Sequence, residues 1–231
     1  MSTLENPKRI LLFGKTGDGK STLGNMLINH DVDGEFAAGN SMEAVTHSTQ
    51  AVANKENGLT VIDTVGLFSN VNPEADVEHA IELNNHLVAE YGKIDVFCYV
   101  KKATKFTRAD EACLKVFSVL FGEKHPSNVL LVFTSCKENW LAENDALITR
   151  LMGKEFKHRV GVDFPTHDED DAEVEAVLKG RREASLERLT AELHSVFQTA
   201  SPAALAKHGS GSSMSTRKKV KKMFQSLLVV A

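Results

Sequence analysis

The segment that most constrains the fold is a glycine-rich motif near the N-terminus. Residues Gly14–Ser21 read GKTGDGKS and match the pattern GxxxxGK[ST]. An apolar run, Ile10–Phe13, precedes the motif, and Ser21–Asn29 follows it with apolar residues at helical spacing. A strand, a glycine-rich turn and a helix in this order are the context in which such a motif forms a phosphate-binding loop, or P-loop.

Each position of the P-loop is a candidate for contact with a nucleotide. Backbone N–H groups and the positive end of the following helix would face the phosphates, and glycine allows the backbone to approach them closely. Lys20 is expected to reach the β- and γ-phosphates, and Ser21 to bind Mg²⁺. The predicted nucleotide-binding residues here are Gly14, Lys15, Thr16, Gly17, Asp18, Gly19, Lys20, Ser21 and Thr22.

A second motif, DxxG, follows the apolar residues Val61-Ile62. Asp63 at the end of this predicted strand is expected to lie beside the P-loop and to hold Mg²⁺ through water. The N–H group of Gly66 could then donate to the γ-phosphate. Loss of that phosphate would release the following loop, Leu67–Pro73, as in other nucleotide switches.

A first switch is expected in the loop Gly39–Thr49, between the two motifs. Thr46 could bind Mg²⁺ and the γ-phosphate at once, and Ser41, Ser48 and Thr49 are its competitors. The predicted catalytic residues are therefore Lys20, Thr46 and Gly66, and the predicted metal ligands are Ser21, Thr46 and Asp63.

Strands and helices alternate along the rest of the chain. This order predicts an α/β fold of the P-loop NTPase (G-domain) type, with a mostly parallel sheet and helices on both faces. The hairpin signal Asn57-Gly58 adds one antiparallel edge strand. Predicted strands are Ile10–Phe13, Thr49–Ala53, Leu59–Ile62, Ile94–Val100, Val129–Phe133 and Val160–Phe164, and predicted helices are Ser21–Asn29, Ala75–Tyr91, Ala109–Phe121 and Ala172–Ala200. A mobile loop is expected over Asp31–Ser48.

The chain of 231 residues suits one domain with a tail. We expect a polar N-terminal tail at 1–7, a G domain at 8–200, a flexible linker at 201–216 and a basic amphipathic tail at 217–231. A basic amphipathic helix suits an anionic membrane surface or a partner groove, and packing on its own domain or a disordered end is the alternative. The apolar positions at helical spacing in this tail are Val220, Met223, Phe224, Leu227 and Leu228.

Net charge and cysteine usage narrow the function classes. The formal net charge of −4 argues against nucleic acid as the main partner. The three cysteines match no metal or redox spacing and indicate reduced thiols in a cytoplasmic protein. The N-terminus has no apolar signal segment, and no run reaches the length of a membrane span. We therefore expect a cytoplasmic protein that is peripheral on a membrane if its tail binds lipid.

Three segments resemble the immunity-associated GTPases of the GIMAP or AIG type. Gly14–Asn25 reads GKTGDGKSTLGN, where that family typically has GKTGxGKSxxGN; Val45-Thr46 is similar to its SVT; and Asp63–Phe68 reads DTVGLF against its DTPGLF. The resemblance spans Lys8 to about Ala200. It implies GTP or GDP with Mg²⁺ as ligands, a fold related to septins and chloroplast-import GTPases, dimers formed through the nucleotide face, and self-assembly on membranes.

The base-recognition segment departs from the usual pattern. Thr134–Asn139 begins like the family's FTRKED but lacks the [NT]KxD aspartate. Guanine presents two donors, N1–H and N2–H, and a carboxylate could accept both. Glu138 and Asp163 are the candidates. Trp140 or Phe164 could stack on the base. The predicted base-site residues are Thr134, Ser135 and Glu138.

Hydrolysis is expected to be slow in a single chain. Leu67 follows DxxG, where Ras-like enzymes have a glutamine that orients the attacking water, and leucine offers no hydrogen bond. A second subunit could supply the missing group; His47 and Arg108 are candidates, or plain surface side chains. The rival functions are a nucleotide-gated assembly scaffold with incidental hydrolysis and a P-loop ATPase.

Overall fold

A central six-stranded sheet organises the chain in the computed structural model, which describes residues 7–36, 49–66, 73–122 and 125–205. The strands are β1 Lys8–Gly14, β2 Gln50–Asn54, β3 Leu59–Asp63, β4 Lys93–Ile94, β5 Val96–Lys102, β6 Val129–Thr134, β7 His158–Gly161 and β8 Ala203–Ala204. The helices are α1 Lys20–Asn29, α2 Pro73–Glu90, α3 Arg108–Phe117, α4 Trp140–Met152 and α5 Ala172–Thr199. A π-helical turn, Ser118–Gly122, extends α3.

The strand order in the sheet is β2-β3-β1-β5-β6-β7. All neighbours are parallel except β2, which pairs antiparallel with β3 at the edge. Parallel strands place their carboxyl ends at one edge of the sheet, so the segments that follow β1, β3, β5 and β6 meet there. This topology confirms the predicted mostly parallel sheet with one antiparallel edge strand.

Helices cover both faces of the sheet because the central strands are apolar on both sides. In β1, Leu11 and Phe13 belong to the core under α2, α3 and α4, and Ile10 and Leu12 belong to the core under α1 and α5. All four side chains are fully buried. The well-packed sheet therefore fixes the positions from which the segments at its carboxyl edge begin.

The structure differs from the predicted elements in three places. The expected strand Ile94–Val100 is divided, because β4 pairs with β8 in a separate two-stranded sheet and β5 continues to Lys102. The last sheet strand, β7, lies at His158–Gly161 rather than Val160–Phe164. Helix α4 was not predicted, although its apolar residues recur at helical spacing and two of them, Ile148 and Met152, are buried.

None of the described helices is long and apolar enough to cross a membrane. The cysteines Cys98, Cys113 and Cys136 are all free thiols in buried positions. Residues 201–205 of the predicted linker are described and contain β8, whereas the rest of the linker and the basic tail lie outside the described residues.

Candidate nucleotide-binding site

The turn between β1 and α1 has the backbone geometry of a phosphate cradle. Gly17 and Gly19 have φ angles of 81° and 85°, which favour glycine. Gly14 allows a close approach to β5, because a Cβ there would lie 2.2 Å from the carbonyl oxygen of Val100. Helix α1 begins at Gly19 without a side-chain cap. Its first N–H groups therefore receive no side-chain acceptor from the N-cap position, as at helix N-termini that bind anions.

Lys20 is buried at the base of this turn, with 5% of its surface exposed. Its Nζ donates to the carbonyl oxygen of Lys15 at 2.8 Å and so spans the loop. Burial lowers the pKa of Lys20, while the nearby carboxylates of Asp63 and Asp18 oppose that shift. An ammonium has three donors, so Lys20 can add a phosphate oxygen to this bond.

Asp63, the last residue of β3, lies against the start of α1. Its Oδ2 accepts a hydrogen bond from Ser21 Oγ at 2.7 Å, whereas its buried Oδ1 has no hydrogen-bond partner among the described residues. Burial raises the pKa of Asp63, partly offset by Ser21 and by the Lys20 ammonium. A buried carboxylate oxygen beside a hydroxyl matches the all-oxygen ligand set of Mg²⁺. The side chains of Ser21 and Asp63 therefore fit the predicted metal site.

The DxxG motif contacts the P-loop directly. A Cβ placed on Gly66 would lie 2.5 Å from the backbone nitrogen of Thr16, so only glycine fits there without a backbone shift. Thr64 Oγ1 donates to the carbonyl oxygen of Leu12 at 2.7 Å and fixes the end of β3 to β1. The hydroxyl of Thr16 is buried without a hydrogen-bond partner among the described residues. A polar atom in this state is available to a ligand at the junction of the two motifs.

The structure thus brings Lys20, Ser21, Asp63 and Gly66 together at one edge of the sheet. Thr22 lies half-buried in the first turn of α1. Thr46, its alternatives Ser41 and Ser48, His47 and Leu67 lie outside the described residues. Thr49 is described and directly precedes β2, and Arg108 is exposed at the start of α3.

Thr134 joins the predicted base segment to the P-loop. Its Oγ1 donates to the carbonyl oxygen of Asp18 at 2.8 Å, and a Cβ on Gly19 would lie 3.3 Å from the Thr134 methyl group. Ser135 follows in the left-handed region, with φ of 48°, and is exposed. The chain therefore turns sharply away from the sheet immediately after β6.

The two candidate carboxylates for guanine line one open pocket of about 570 Å³ between the β6–α4 connection and α5. Asp163 is already paired, because Arg181 Nε donates to its Oδ2 at 2.9 Å. Glu138 is exposed on the other side of the pocket. The candidate stacking residues both pack on the core. The ring centroids of Trp140 and Phe133 are 5.2 Å apart, and Phe164 packs against the core cluster under α1 and α5.

Two charged residues beneath the P-loop were not predicted from the sequence. Lys15 Nζ donates to Asp110 Oδ1 at 2.7 Å, and Lys101 Nζ lies 3.5 Å from Asp110 Oδ2. Lys101 and Asp110 are each 1% exposed. The available signal was the spacing Thr107-x-x-Asp110 ahead of α3, because these residues form a reciprocal capping box.

A further cluster of ligand atoms lies away from the P-loop, on the surface between α1 and α5. Asp31, Asp33 and His167 place oxygen and nitrogen atoms within 4.8 Å of one another. His167 also contacts Glu175 at 3.0 Å, and Arg182 pairs with the same glutamate. Ion pairing between the start of α5 and the end of α1 accounts for this arrangement.

A P-loop that opens an uncapped helix, joined to a DxxG motif in a parallel sheet, defines a P-loop nucleotide-binding protein of the G-domain class. The chain belongs to the AIG1 family, because the sequence model of that family matches residues 8–158. This membership confirms the resemblance seen in Gly14–Asn25 and Asp63–Phe68.

Relatives of this chain carry names of the same kind. Immune-associated nucleotide-binding protein 7 of Arabidopsis thaliana is 31% identical over 175 residues, which cover 70% of this chain and 55% of that protein. GTPase IMAP family member 8 of Homo sapiens is 27% identical over 131 residues, or 54% of this chain and 18% of that protein. The match to the first of these proteins spans about half of its length, and to the second less than a fifth.

Solved structures with the same fold include proteins of chloroplast import. Toc33 from Arabidopsis thaliana in complex with GDP and Mg²⁺ superposes with a TM-score of 0.57 at 17% identity, covering 87% of this chain and 88% of that one. A structure from work on dimerisation and GTPase activity of atToc33 and psToc159 gives a TM-score of 0.63 at 19% identity, covering 87% and 86%. These likenesses confirm the predicted P-loop fold.

Proposed function

We propose that this chain binds GTP and GDP with Mg²⁺ through Gly14–Thr22 and hydrolyses GTP as a molecular switch. The observation that carries the proposal is the Ser21–Asp63 pair beside the uncapped start of α1, where an oxygen of a buried carboxylate lacks a partner. The relatives support it by their names, as a nucleotide-binding protein and as a GTPase, and the Toc33 structure holds GDP and Mg²⁺.

Each residue of the site has a distinct task in this proposal. The backbone N–H groups of the P-loop and the start of α1 bind the phosphates, and Lys20 pairs with the β- and γ-phosphate oxygens. Ser21 and Asp63 would hold Mg²⁺, and the ion would neutralise developing charge on the transferred phosphoryl group. Gly66 would donate its N–H group to the γ-phosphate, and Thr46 of the first switch would be a further ligand for Mg²⁺.

A titration of the purified protein with GTP, GDP and ATP in the presence of Mg²⁺ tests this assignment. We expect GTP and GDP to bind, and Lys20→Ala to abolish binding because the ammonium pairs with the densest charge on the ligand. Lys102→Met is the matched control, since Lys102 is exposed on the same sheet edge. Equal affinity for ATP and GTP would favour the ATPase alternative. Unchanged binding by Lys20→Ala would refute the P-loop assignment.

Guanine recognition is proposed to depend on Glu138 more than on Asp163, together with the Thr134-Ser135 turn. Asp163 is held by Arg181, whereas Glu138 is exposed and can turn toward the donors of the base. We expect Glu138→Gln to reduce the preference for GTP over ATP at least tenfold, since a site built for paired donors discriminates strongly. Asp163→Asn should leave the preference unchanged, and the reverse result would exchange the two roles.

Slow hydrolysis by the single chain, stimulated by a homodimer formed through the nucleotide face, is part of the proposal. Its support is Leu67 at the water-positioning site, and the Toc33 and psToc159 work that names dimerisation as important for GTPase activity in those proteins. Phosphate release should be measured over two decades of protein concentration beside light scattering. Specific activity that stays flat while mass stays GTP-independent would contradict activation by dimerisation. GTP-dependent assembly without a rise in turnover would favour the scaffold alternative.

We further propose a cytoplasmic protein that binds anionic membranes through its basic segment Arg217–Ala231, with no nucleic-acid partner. Each Lys or Arg near an anionic surface contributes about 1 kcal/mol. Vesicles containing phosphatidylserine should co-sediment the full chain, and less so at high salt. Co-sedimentation that survives deletion of Arg217–Ala231 would assign that segment another role.

A further inference from the structure

The P-loop is held from beneath by four charged side chains that come from three separate parts of the chain. We call Lys15, Asp18, Lys101 and Asp110 the charge cluster. Lys15 and Asp18 belong to the P-loop, Lys101 to β5 and Asp110 to the first turn of α3. Asp18, Lys101 and Asp110 are buried, with 8%, 1% and 1% of their surfaces exposed.

Asp110 is the centre of the charge cluster. Its Oδ1 accepts from Lys15 Nζ at 2.7 Å, and its Oδ2 accepts from the backbone nitrogen and the hydroxyl of Thr107, each at 2.7 Å. Burial alone would raise the pKa of Asp110, but the bonds from Lys15 and Thr107 lower it overall. Asp110 is therefore an ionised residue whose two oxygens hold two different segments.

The positive charge of Lys101 lies near Asp18, which is the second aspartate of the charge cluster. It lies near both Asp110 and Asp18, and these carboxylates oppose the lowering of its pKa by burial. Burial raises the pKa of Asp18, while nearby Lys15 and Lys101 of β5 oppose that shift, and the carbonyl oxygen of Asp18 accepts from Thr134 of β6. The middle of the P-loop is thus fixed to β5 and β6.

These contacts lead directly to the phosphate-binding lysine. The side chain of Lys15 is fixed by Asp110, and the carbonyl oxygen of Lys15 accepts from Lys20 Nζ at 2.8 Å. A movement of α3 relative to the sheet would therefore displace both Lys15 and the Lys20 ammonium, which is proposed to bind the phosphates. Buried ion pairs are often no more stabilising than apolar packing, so a role in fixing one arrangement is the better-attested reason to keep them.

We propose that Asp110 and Lys101 are positioning residues for the nucleotide site, which clamp the P-loop to α3 and make nucleotide affinity depend on that helix. The effect on GDP affinity rests on the proposed function. The effect on the structure of the nucleotide-free P-loop does not. Nucleotide binding would in turn bias the position of α3, because coupling between two sites is reciprocal.

The experiment is a double-mutant cycle on Lys15→Met, Asp110→Asn and the combined variant, with fluorescent GDP and Mg²⁺ as the probe. Asp110→Asn retains an acceptor for Thr107 but ends the ion pair with Lys15. We expect each single variant to weaken GDP binding about tenfold, and the double variant to be no weaker than the worse single one. Additive losses would overturn the clamp, since independent residues show no coupling.

Two controls separate positioning from a general effect on folding. Thr107→Ala removes the hydroxyl of the capping box but leaves the Lys15–Asp110 pair, so it should lower thermal stability with little change in GDP affinity. Lys101→Met should weaken binding, whereas Lys102→Met should not, because Lys102 is exposed. A loss of affinity in Thr107→Ala equal to that in Asp110→Asn would show that fraying of α3, not the clamp, is responsible.

Hydrogen exchange of the nucleotide-free protein supplies a readout that does not need GTP binding. Amides of residues 14–22 should exchange faster in Lys15→Met and Asp110→Asn than in the wild type, and not in Thr107→Ala. If the wild type binds no nucleotide but these amides behave as expected, the proposed function fails and the clamp stands. If the wild type binds GDP and the amides of both variants exchange at wild-type rates, the clamp is refuted.

Discussion

Replacement of Asp63 by asparagine should stabilise the nucleotide-free protein while it removes the magnesium dependence of binding. The carboxylate is completely buried, and its Oδ1 has no hydrogen-bond partner among the described residues. A buried polar group in this state costs about 1–3 kcal/mol, more if charged. The asparagine keeps an acceptor for Ser21 but loses the charge assistance of that bond, which forfeits about 1 kcal/mol, and its Nδ2 replaces the orphaned charged oxygen with a neutral polar group that costs less to bury. The expected net gain is about 1 kcal/mol, or ~2–4 °C in Tm for a chain of this size.

The sign of the pH dependence follows from the raised pKa of Asp63, which burial causes. A carboxyl group whose folded pKa is raised favours the folded state below its unfolded pKa, near 4, and this advantage is lost as pH rises through the folded value. The stability of Asp63→Asn relative to the wild type should therefore grow from acidic to neutral pH. Urea denaturation of the nucleotide-free protein at pH 4.5 and pH 7.5 measures this difference.

The binding half of the prediction uses GDP affinity with Mg²⁺ and with EDTA. Wild-type affinity should fall when the ion is removed, whereas the affinity of Asp63→Asn should be low and the same in both buffers. Asp170→Asn is the control for the change in net charge, because Asp170 is exposed on the loop before α5. A lower Tm for nucleotide-free Asp63→Asn at pH 7.5, or a retained response to Mg²⁺, would refute the reasoning.

Two further substitutions test the scaffold around the site. Gly14→Ala should destabilise the fold by about 1–3 kcal/mol in urea titrations, because its Cβ would lie 2.2 Å from the Val100 carbonyl oxygen; unchanged stability would contradict that close approach. Because the hydrogen bonds that His167 donates to Asp31 and Glu175 raise the pKa of His167, the stabilisation it gives should be present below about pH 6.5 and lost as pH rises through the folded value. The wild type should then exceed His167→Gln in stability at pH 5.5 more than at pH 8.5, and a constant difference would exclude titration of His167.

The geometry of the P-loop turn could be predicted from the sequence because its residues are consecutive in the chain. A strand, a glycine-rich turn and a helix are local features, and the DxxG motif adds one strand end. The structure places Ser21 2.7 Å from Asp63 as this order implies. Each motif therefore specifies its own geometry, and the parallel sheet brings the two together.

The contacts missed by sequence analysis join distant parts of the chain. Lys15 and Asp110 are separated by 95 positions, and nothing in the local pattern of either segment indicates the other. The pairing of Asp163 with Arg181 is likewise a contact between a loop and α5. Helix α4 is a different case, because its apolar residues do recur at helical spacing, as Leu141, Ile148 and Met152 show, and the sequence therefore carried a signal for it.

The charges of the described site bear on the proposed role of Mg²⁺. Three lysines and three aspartates lie in or beside the P-loop, and the formal charges of these described side chains sum to zero: Lys15, Lys20, Lys101, Asp18, Asp63 and Asp110. Affinity must come from backbone N–H groups, from the start of α1 and from short-range pairing with Lys20. Mg²⁺ at Ser21 and Asp63 would add the net positive charge that these side chains lack. The same balance makes the arrangement of the lysines, rather than their number, decisive for phosphate binding.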